Sequence, residues 1–270
     1  MNVNYVAFVT SVRAFVRPVP KESIEIFFNM LRILPLTLLL VIAGCSAAPV
    51  GQTVHDPYEG ANRQVHTFNK NVNAALSGDD DGEDRGPLLH PDLSALVINF
   101  SDNAGGPGMV LNGLLQGNIK SASTNAFRFV LNTLVGIGGI FDPADAIGLE
   151  EIETDFGHTM AVWGIPEGAY LELPLLGPSS ERDITGRVVD MFIDPLGHYG
   201  TDTQNTAATV AGIGARVLKR DQYGAAIDSV LNESADSYVQ TRLIYLQNRR
   251  FDLGLEAAEE VDPYADLYGE

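Results

Sequence analysis

The sequence predicts a mainly α-helical protein with little or no β-sheet. Apolar residues recur at helical spacing through the C-terminal third of the chain, most clearly in an amphipathic segment at residues 234–258. The alternation typical of a strand is limited to a brief stretch around Leu171 and Leu173, which Pro174 ends. Residues 91–147 are nearly free of charge, and within them residues 126–141 are apolar nearly all round, as expected of a helix that is buried in a core or in lipid.

The N-terminal region contains a segment typical of a bacterial lipoprotein signal. Residues 34–43 form an uncharged apolar run, which is too short to span a bilayer because a membrane helix needs about 20 residues. Arg32 provides a positive charge before this run. Ile42-Ala43-Gly44-Cys45 follows it and resembles a lipobox, where a peptidase cuts before an acylated cysteine. We therefore expect Cys45 to carry the lipid anchor, the alternative being a buried cysteine in a core helix.

The first 29 residues do not fit this signal. They contain a lysine and two glutamates, and they place the apolar run unusually far from the first methionine. A compact signal begins at Met30, so we predict that Met30 is the true start and that residues 1–29 are an artefactual extension. Residues 30–44 are then the signal peptide, and residues 45–55 form a lipidated tether.

The mature chain is expected to open with a helix. Asp56 can cap this helix, Pro57 suits its first turn, and Glu59 completes the spacing of a capping box. The helical pattern runs to about Leu76 and gives way to an acidic, glycine-rich loop at residues 77–87. This loop lacks the glycine at the sixth position of a calcium-binding loop, so we interpret it as a solvated connection.

The most apolar part of the chain lies at residues 126–141, where a helix would be apolar nearly all round. The segment is short for a full membrane span, and Gly136, Gly138 and Gly139 would allow a bend in its backbone. We predict a hairpin that lines or borders a lipid path, while a core hairpin of a soluble helical domain stays as the alternative. The candidate lipid-path residues are Phe127, Phe129, Leu131, Leu134, Val135, Gly136, Ile137, Ile140 and Phe141.

Composition and motifs argue against several classes of function. A net charge of −18 is unsuited to binding nucleic acid, which requires the neutralisation of phosphates. The Gly-x-Ser-x-Gly motif of a hydrolase nucleophile does not occur. The five histidines stand singly, without the His-x-x-x-His spacing of a zinc site. We therefore expect no catalytic residues, no metal site and no cofactor.

Three ordered blocks of residues resemble the MlaA (VacJ) family of outer-membrane lipoproteins. The blocks lie at residues 56–69, 131–144 and 156–195, and the resemblance covers about residues 53–255. The chain departs from the family at residues 77–87, where the family usually carries a longer amphipathic, basic stretch. The motif residues are Asp56, Pro57, Asn62, Arg63, Phe68, Asn69, Asn132, Gly138, Gly139, Asp142, Trp163, Gly164, Pro174, Gly177, Pro178, Arg182 and Asp183.

The resemblance implies a ring-like helical domain at residues 56–258, embedded in the inner leaflet of the outer membrane and facing the periplasm. An acidic tail follows at residues 259–270. Family members remove phospholipids misplaced in the outer leaflet and pass them to a soluble periplasmic carrier, often alongside a trimeric porin. Two alternatives remain open. A structural or scaffold lipoprotein needs only the anchor and a helical domain, and a lipid-cleaving enzyme needs a nucleophile with a base.

Overall fold

The computed structural model describes residues 54–77 and 87–255, all of which belong to the unit Cys45–Glu270. Several predicted features lie outside these residues. They are the start at Met30, the signal peptide, the acylation site at Cys45, most of the acidic loop and the acidic tail.

Helices make up most of the described structure, which confirms the mainly α-helical prediction. The described part contains one small sheet, an antiparallel hairpin that pairs Tyr170 with Ser180 and Leu173 with Gly177. None of the described helices is long and apolar enough to cross a bilayer. In chain order the elements are α1 (Glu59–Ser77), α2 (Pro91–Leu115), α3 (Ile119–Leu134), α4 (Pro143–Ala146), α5 (Phe156–Val162), β1 (Tyr170–Leu173), β2 (Gly177–Ser180), α6 (Glu181–Ile193), α7 (Pro195–Tyr199), α8 (Asp202–Gln222), α9 (Gly224–Asp228), a π-helical turn (Ser229–Glu233) and α10 (Ser237–Asp252).

Helix α1 begins at Glu59, and the helix cap predicted at Asp56 is wrong. The Asp56 carboxylate instead accepts a hydrogen bond from Asn62 at 3.0 Å and pairs with the Arg242 guanidinium. The Tyr238 hydroxyl donates to the same carboxylate. Hydrogen bonds to a charged partner are stronger than those to a neutral amide, so the contact with α10 takes precedence over capping.

Helix α2 is not predicted by the sequence pattern, because residues 105–108 read Gly-Gly-Pro-Gly, which disfavours a helix interior. The helix passes through them while packing very closely on α3. A Cβ at Gly113 would lie 2.8 Å from the Ala122 nitrogen, and one at Gly106 would lie 3.3 Å from the Phe129 side chain. The glycines that weaken α2 as an isolated helix therefore allow the close approach that stabilises it in the fold.

The C-terminal helices follow the predicted pattern, with α8 slightly longer and α10 shorter than the sequence pattern indicates. Helix α8 covers the predicted amphipathic stretch and packs along α2, where Lys219 pairs with Asp102 at 2.9 Å. The amphipathic segment predicted at residues 234–258 forms α10, which Asp236 caps by accepting a hydrogen bond from the Val239 amide at 3.2 Å. Between α8 and α10 the chain forms α9 and the π-helical turn.

A small apolar cluster lies where α10 meets the β-hairpin. Tyr170, Tyr238 and Leu246 are buried there, and the two tyrosine rings meet edge to face with centroids 6.0 Å apart. Helices α5 and α6 also make a close contact, since a Cβ at Gly186 would lie 2.3 Å from the Gly157 nitrogen. These contacts hold the second half of the described chain together with few large apolar side chains in its interior.

Candidate lipid-contact surface and polar cavity

Helix α3 has a polarity opposite to that of a helix in a water-soluble protein. Asn125, Arg128 and Asn132 follow one another at helical spacing and are buried, with Arg128 7% and Asn132 5% exposed. The apolar face points outward, where Phe127 is 58% and Leu134 is 77% exposed. Soluble helices bury the apolar stripe and expose the polar one. An outward apolar face and an inward polar face suit contact with lipid.

The prediction that residues 126–141 are apolar nearly all round is wrong for one face of the helix, whereas the bend expected at the glycines is present. Arg128 and Asn132 form a polar stripe on one side, and the helix ends at Leu134. The chain turns between residues 135 and 141. Of the candidate lipid-path residues, some are exposed, some are half-buried and Gly136 is buried. The exposed ones are Phe127, Leu134, Val135, Ile137 and Phe141, and the half-buried ones are Phe129, Leu131 and Ile140.

Exposed apolar side chains also occur on other elements. Among the described residues, the buried polar or charged side chains outnumber the buried hydrophobic ones. Large apolar side chains lie at the surface of α2, α5, α6 and α8. They include Leu93, Leu114, Leu115, Val162, Val188, Met191, Phe192, Val210 and Ile213. Exposed apolar patches larger than those of ordinary soluble proteins mark surfaces that contact a partner or a membrane.

The inner polar stripe of α3 is held by side chains from the segment that follows the turn. Arg128 pairs with Asp142 at 2.6 Å, and Asn132 donates to the same carboxylate at 2.9 Å. Asn132 also accepts a hydrogen bond from the Ala144 amide at 3.1 Å. Burial opposes ionisation of Asp142, but the Asp145 amide and Arg128 outweigh it and hold the pKa of this carboxyl below its usual value.

The glycine-rich turn uses backbone conformations that other residues resist. Gly138 and Gly139 have φ of +72° and +91°. A Cβ at Gly136 would lie 2.2 Å from the Phe141 carbonyl oxygen, so this position also has no room for a side chain. Gly138 and Gly139 donate backbone hydrogen bonds back to α3, each at 2.9 Å, to the carbonyls of Thr133 and Asn132. The turn is thus folded back on the end of the helix.

A polar cavity of about 110 Å³ lies between α2 and α3. It is lined by Asn99, Asp102, Asn103, Gly106, Met109, Asn125, Arg128, Phe129, Asn132, Asp142 and Glu151. Burial, together with the nearby charge of Asp102, raises the pKa of Glu151 to about 7. Sequence reasoning missed this cavity, because Glu151 and the asparagines of α2 look like ordinary surface residues in the linear pattern.

The first block of motif residues fastens α1 to the β-hairpin. Asn62 donates to the Tyr170 carbonyl at 3.1 Å and accepts from the Glu172 amide at 3.0 Å. Asn69, two helical turns later, donates to the Leu173 carbonyl at 3.0 Å and accepts from the Leu175 amide at 2.8 Å. The two amide side chains therefore bind the backbone of β1 and of the turn after it, as a neighbouring strand would.

Four other motif residues lie near these contacts. Arg63 pairs with Asp236 at 2.9 Å, ahead of α10. Phe68 is exposed, as is Pro57. Asp56 pairs with Arg242 of α10 and so belongs to the same contact between the start of α1 and α10.

The third block of motif residues supports the contact of α5, α6 and α10. Asp183 is buried and accepts hydrogen bonds from Arg249, which also pairs with Asp155 at 2.8 Å. Burial opposes ionisation of Asp155, but Arg249 outweighs it and holds the pKa of this carboxyl below its usual value. Arg182 is buried and donates to the Ile165 carbonyl at 3.3 Å.

Turn residues complete the third block. Gly164 and Gly177 have φ of +83° and +75°. Pro174 ends β1, and Pro178 lies in β2 opposite Glu172. Trp163 ends α5 and donates from its indole nitrogen to the Leu115 carbonyl of α2 at 3.3 Å. The motif thus shapes the connections rather than a site of chemistry.

The structure also brings together a serine, a histidine and a carboxylate that are far apart in the sequence. His66 Nε2 lies 3.0 Å from the Ser237 hydroxyl, and His66 Nδ1 lies 3.0 Å from a Glu172 oxygen. If Ser237 were a catalytic nucleophile, free N–H groups close to it would also be needed to stabilise the oxyanion of the reaction. The two amides that follow Ser237, those of Tyr238 and Val239, both bond to Asp236. These groups therefore link α1, β1 and α10 by hydrogen bonds.

Taken together, the geometry defines a class of protein: a helical protein with polar groups packed inside and an apolar exterior suited to lipid. The family model described as MlaA lipoprotein matches residues 54–252. The chain therefore belongs to the MlaA lipoprotein family, and the resemblance inferred from its three motif blocks is confirmed.

Individual relatives agree with this assignment. The chain is 30% identical over 226 residues to the intermembrane phospholipid transport system lipoprotein MlaA of Escherichia coli K12, a match that covers 80% of this chain and 84% of that protein. An uncharacterized protein of Rickettsia prowazekii is 33% identical over 197 residues, covering 70% and 74% of the two chains. A solved structure, described as the structural basis for maintenance of bacterial outer membrane lipid asymmetry, matches with a TM-score of 0.60 at 28% identity. That match covers 73% of this chain and 98% of the other.

Proposed function

We propose that this protein removes mislocalised phospholipids from the outer leaflet of the outer membrane and passes them to a periplasmic lipid carrier, which maintains the lipid asymmetry of that membrane. The observation that carries the proposal is the reversed polarity of α3, with buried Arg128 and Asn132 and exposed Phe127 and Leu134. An exterior of this kind is costly in water and favourable against hydrocarbon. The phospholipid-transport name of the E. coli relative supports the same function.

The proposed anchor is an acylated Cys45 that follows a signal peptide at residues 30–44 and precedes a tether at residues 45–55. Each buried methylene of an acyl chain contributes about 0.8 kcal/mol, so several chains together keep a lipoprotein on its membrane. The helical domain at residues 56–258 then lies on the periplasmic side of the outer membrane. There it can receive lipid from a trimeric porin and hand it to a soluble carrier.

The proposed lipid path runs along residues 127–141, across the exposed side chains of α3 and the glycine-rich turn. Apolar side chains at this surface would contact acyl chains without a desolvation penalty. The polar cavity on the inner side of the same helix provides groups that can meet a lipid head. We infer that the segment binds phospholipid because its apolar outer face can contact the acyl chains while its polar inner side can contact the head group.

Deletion of the gene tests the proposal, with phospholipid in the outer leaflet as the measured quantity. Cells without the protein should accumulate outer-leaflet phospholipid, and the wild-type gene should restore the normal level. Leu134→Asp should fail to restore it, because an unpaired charge in apolar surroundings costs several kcal/mol. Leu134→Met, which keeps the side chain apolar and of similar size, is the matched control and should complement.

The alternative of a structural or scaffold lipoprotein gives a different pattern in the same cells. Outer-leaflet phospholipid would then follow the amount of protein and would not depend on residue 134. An enzyme is distinguished by the fate of labelled phospholipid, which a transporter relocates without altering. We infer transport without cleavage, and Ser237→Ala should accordingly leave relocation unchanged.

A further inference from the structure

The carboxyl groups that line the polar cavity between α2 and α3 outnumber the nearby cations by one, when Lys219 of α8 is counted with Arg128. Its lining includes the carboxylates of Asp102, Asp142 and Glu151 and the guanidinium of Arg128. Arg128 pairs with Asp142, and Lys219 from α8 pairs with Asp102 at 2.9 Å. Glu151 makes no hydrogen bond or ion pair with the residues that the structure describes. Glu151 is therefore the carboxyl group of the cavity that lacks a close counter-charge.

One buried side-chain atom of the cavity lining has no hydrogen-bond partner in the described part of the chain, and it is an acceptor. The Asn103 Oδ1 atom is buried and has no hydrogen-bond partner within the described part of the chain. Donors on the α3 side bind groups of the protein itself, since Arg128 donates to a backbone carbonyl and to Asp142, and Asn125 donates to the Ile152 carbonyl at 2.8 Å. A ligand that satisfies this lining must donate hydrogen bonds and carry a positive charge.

We propose that this cavity binds the primary ammonium group of an aminophospholipid, with Glu151 as its counter-charge and Asn103 as a hydrogen-bond acceptor. An ammonium group carries one positive charge and three N–H donors, which matches the unpaired carboxylate and the free amide oxygen. This inference rests on the proposed transport function and names the class of lipid head group that the protein prefers.

The size of the cavity agrees with such a group. A water molecule takes about 30 Å³ in the liquid, so a cavity of about 110 Å³ holds an aminoethyl group and leaves the rest of the lipid outside. A trimethylammonium group is bulkier and has no N–H donors, and a glycerol head group has no charge. A metal ion fits less well, since the described residues contain no group of three His, Cys, Asp or Glu side chains that could hold one.

Lipid retention by the full-length acylated protein tests the proposal. The protein is purified in a mild detergent and offered an equimolar mixture of phosphatidylethanolamine, phosphatidylcholine and phosphatidylglycerol, and the retained lipids are counted by native mass spectrometry. We expect phosphatidylethanolamine to be retained about tenfold over either other lipid, because a hydrogen bond to a charged group contributes a factor of this order.

Three variants connect the preference to the cavity. Glu151→Gln keeps the size of the side chain but removes its charge, and it should reduce the preference to about twofold or less. Glu153→Gln removes the same charge from an exposed neighbour and should keep the preference. Asn103→Asp adds a charge at the free acceptor and should increase the preference, which tests the site even if Glu151→Gln is poorly folded.

Equal retention of the three lipids by the wild type, or an unchanged preference in both cavity variants, would overturn the proposal. Complete displacement of the lipid by free ethanolamine at a similar concentration would assign the cavity to a soluble amine instead. Retention and relocation of all three lipids without preference would leave the proposed function intact and remove only this inference. A wild-type protein that neither retains phospholipid nor restores deleted cells would instead remove the proposed function.

Discussion

Replacing Gly139 with alanine should destabilise the protein more than the same replacement at Gly138. Both glycines have positive φ, +91° and +72°, where a Cβ costs about 1 kcal/mol. They differ in the space around them. A Cβ at Gly138 would meet nothing within 4 Å, whereas one at Gly139 would lie 2.4 Å from Nδ2 and 2.5 Å from Cβ of Asn103.

The loss of stability in Gly139→Ala can be worked out from the displacement of the Asn103 side chain. Asn103 belongs to α2 and donates to the Thr133 hydroxyl at 3.2 Å, so the clash displaces a side chain that joins α2 to α3. Overpacking of this kind costs about 1–3 kcal/mol, and the lost hydrogen bond adds about 1 kcal/mol. We therefore expect Gly139→Ala to lower the free energy of unfolding by about 3–5 kcal/mol and Gly138→Ala by about 1 kcal/mol.

The single tryptophan of the chain provides the assay. The Trp163 indole donates to the Leu115 carbonyl at the end of α2 and packs edge to face on Phe156 with ring centroids 5.5 Å apart. Its fluorescence should therefore change when α2 and α5 separate during urea denaturation in a constant detergent. Equal destabilisation of the two variants would refute the reasoning, since backbone strain alone would then account for both.

Three further predictions concern processing and pH. Intact mass spectrometry should find a triacylated mature chain that begins at Cys45, and a Cys45→Ser protein that is still processed and membrane-bound would contradict this. A gene that lacks codons 1–29 should be exported from Met30 and complement fully, whereas failure of the short form alone would show that the extension is needed. Burial raises the pKa of Glu151 to about 7, so its contribution to stability is complete below the unfolded value of about 4.5 and is lost as pH rises through about 7. Relative to Glu151→Gln, the wild type should lose stability between about pH 5 and pH 8, and parallel curves for the two proteins would rule this out.

Local patterns in the sequence were enough to predict the helical content, the short strand and the family. The amphipathic spacing of α8 and α10 and the alternation in β1 arise from residues that are neighbours in the chain. The motif blocks are likewise contiguous, so they could be recognised without knowing what their side chains contact. The lipid-path and lipidation sites remain predictions, the second because Cys45 lies outside the described residues.

The bounds and caps of helices depended on distant partners and were predicted less well. Asp56 has the residue type and position of a cap, but it pairs with Arg242, which lies in the last helix. Helix α2 contains Pro107 and three adjoining glycines, and only its close packing on α3 makes a helix of that stretch. Propensity describes a residue in isolation, and tertiary contacts of a few kcal/mol override it.

At the candidate site, the sequence pattern likewise could not predict which face of α3 is buried. In the linear sequence Arg128 and Asn132 interrupt an apolar run, and nothing nearby indicates which face turns inward. The structure buries them because Asp142, after the glycine turn, supplies a carboxylate for both. The free Glu151 and the His66–Ser237 contact likewise appear only when segments distant in sequence meet. The sequence by itself determines which residues can be apolar, charged or flexible, whereas burial and pairing depend on distances that only the folded chain sets.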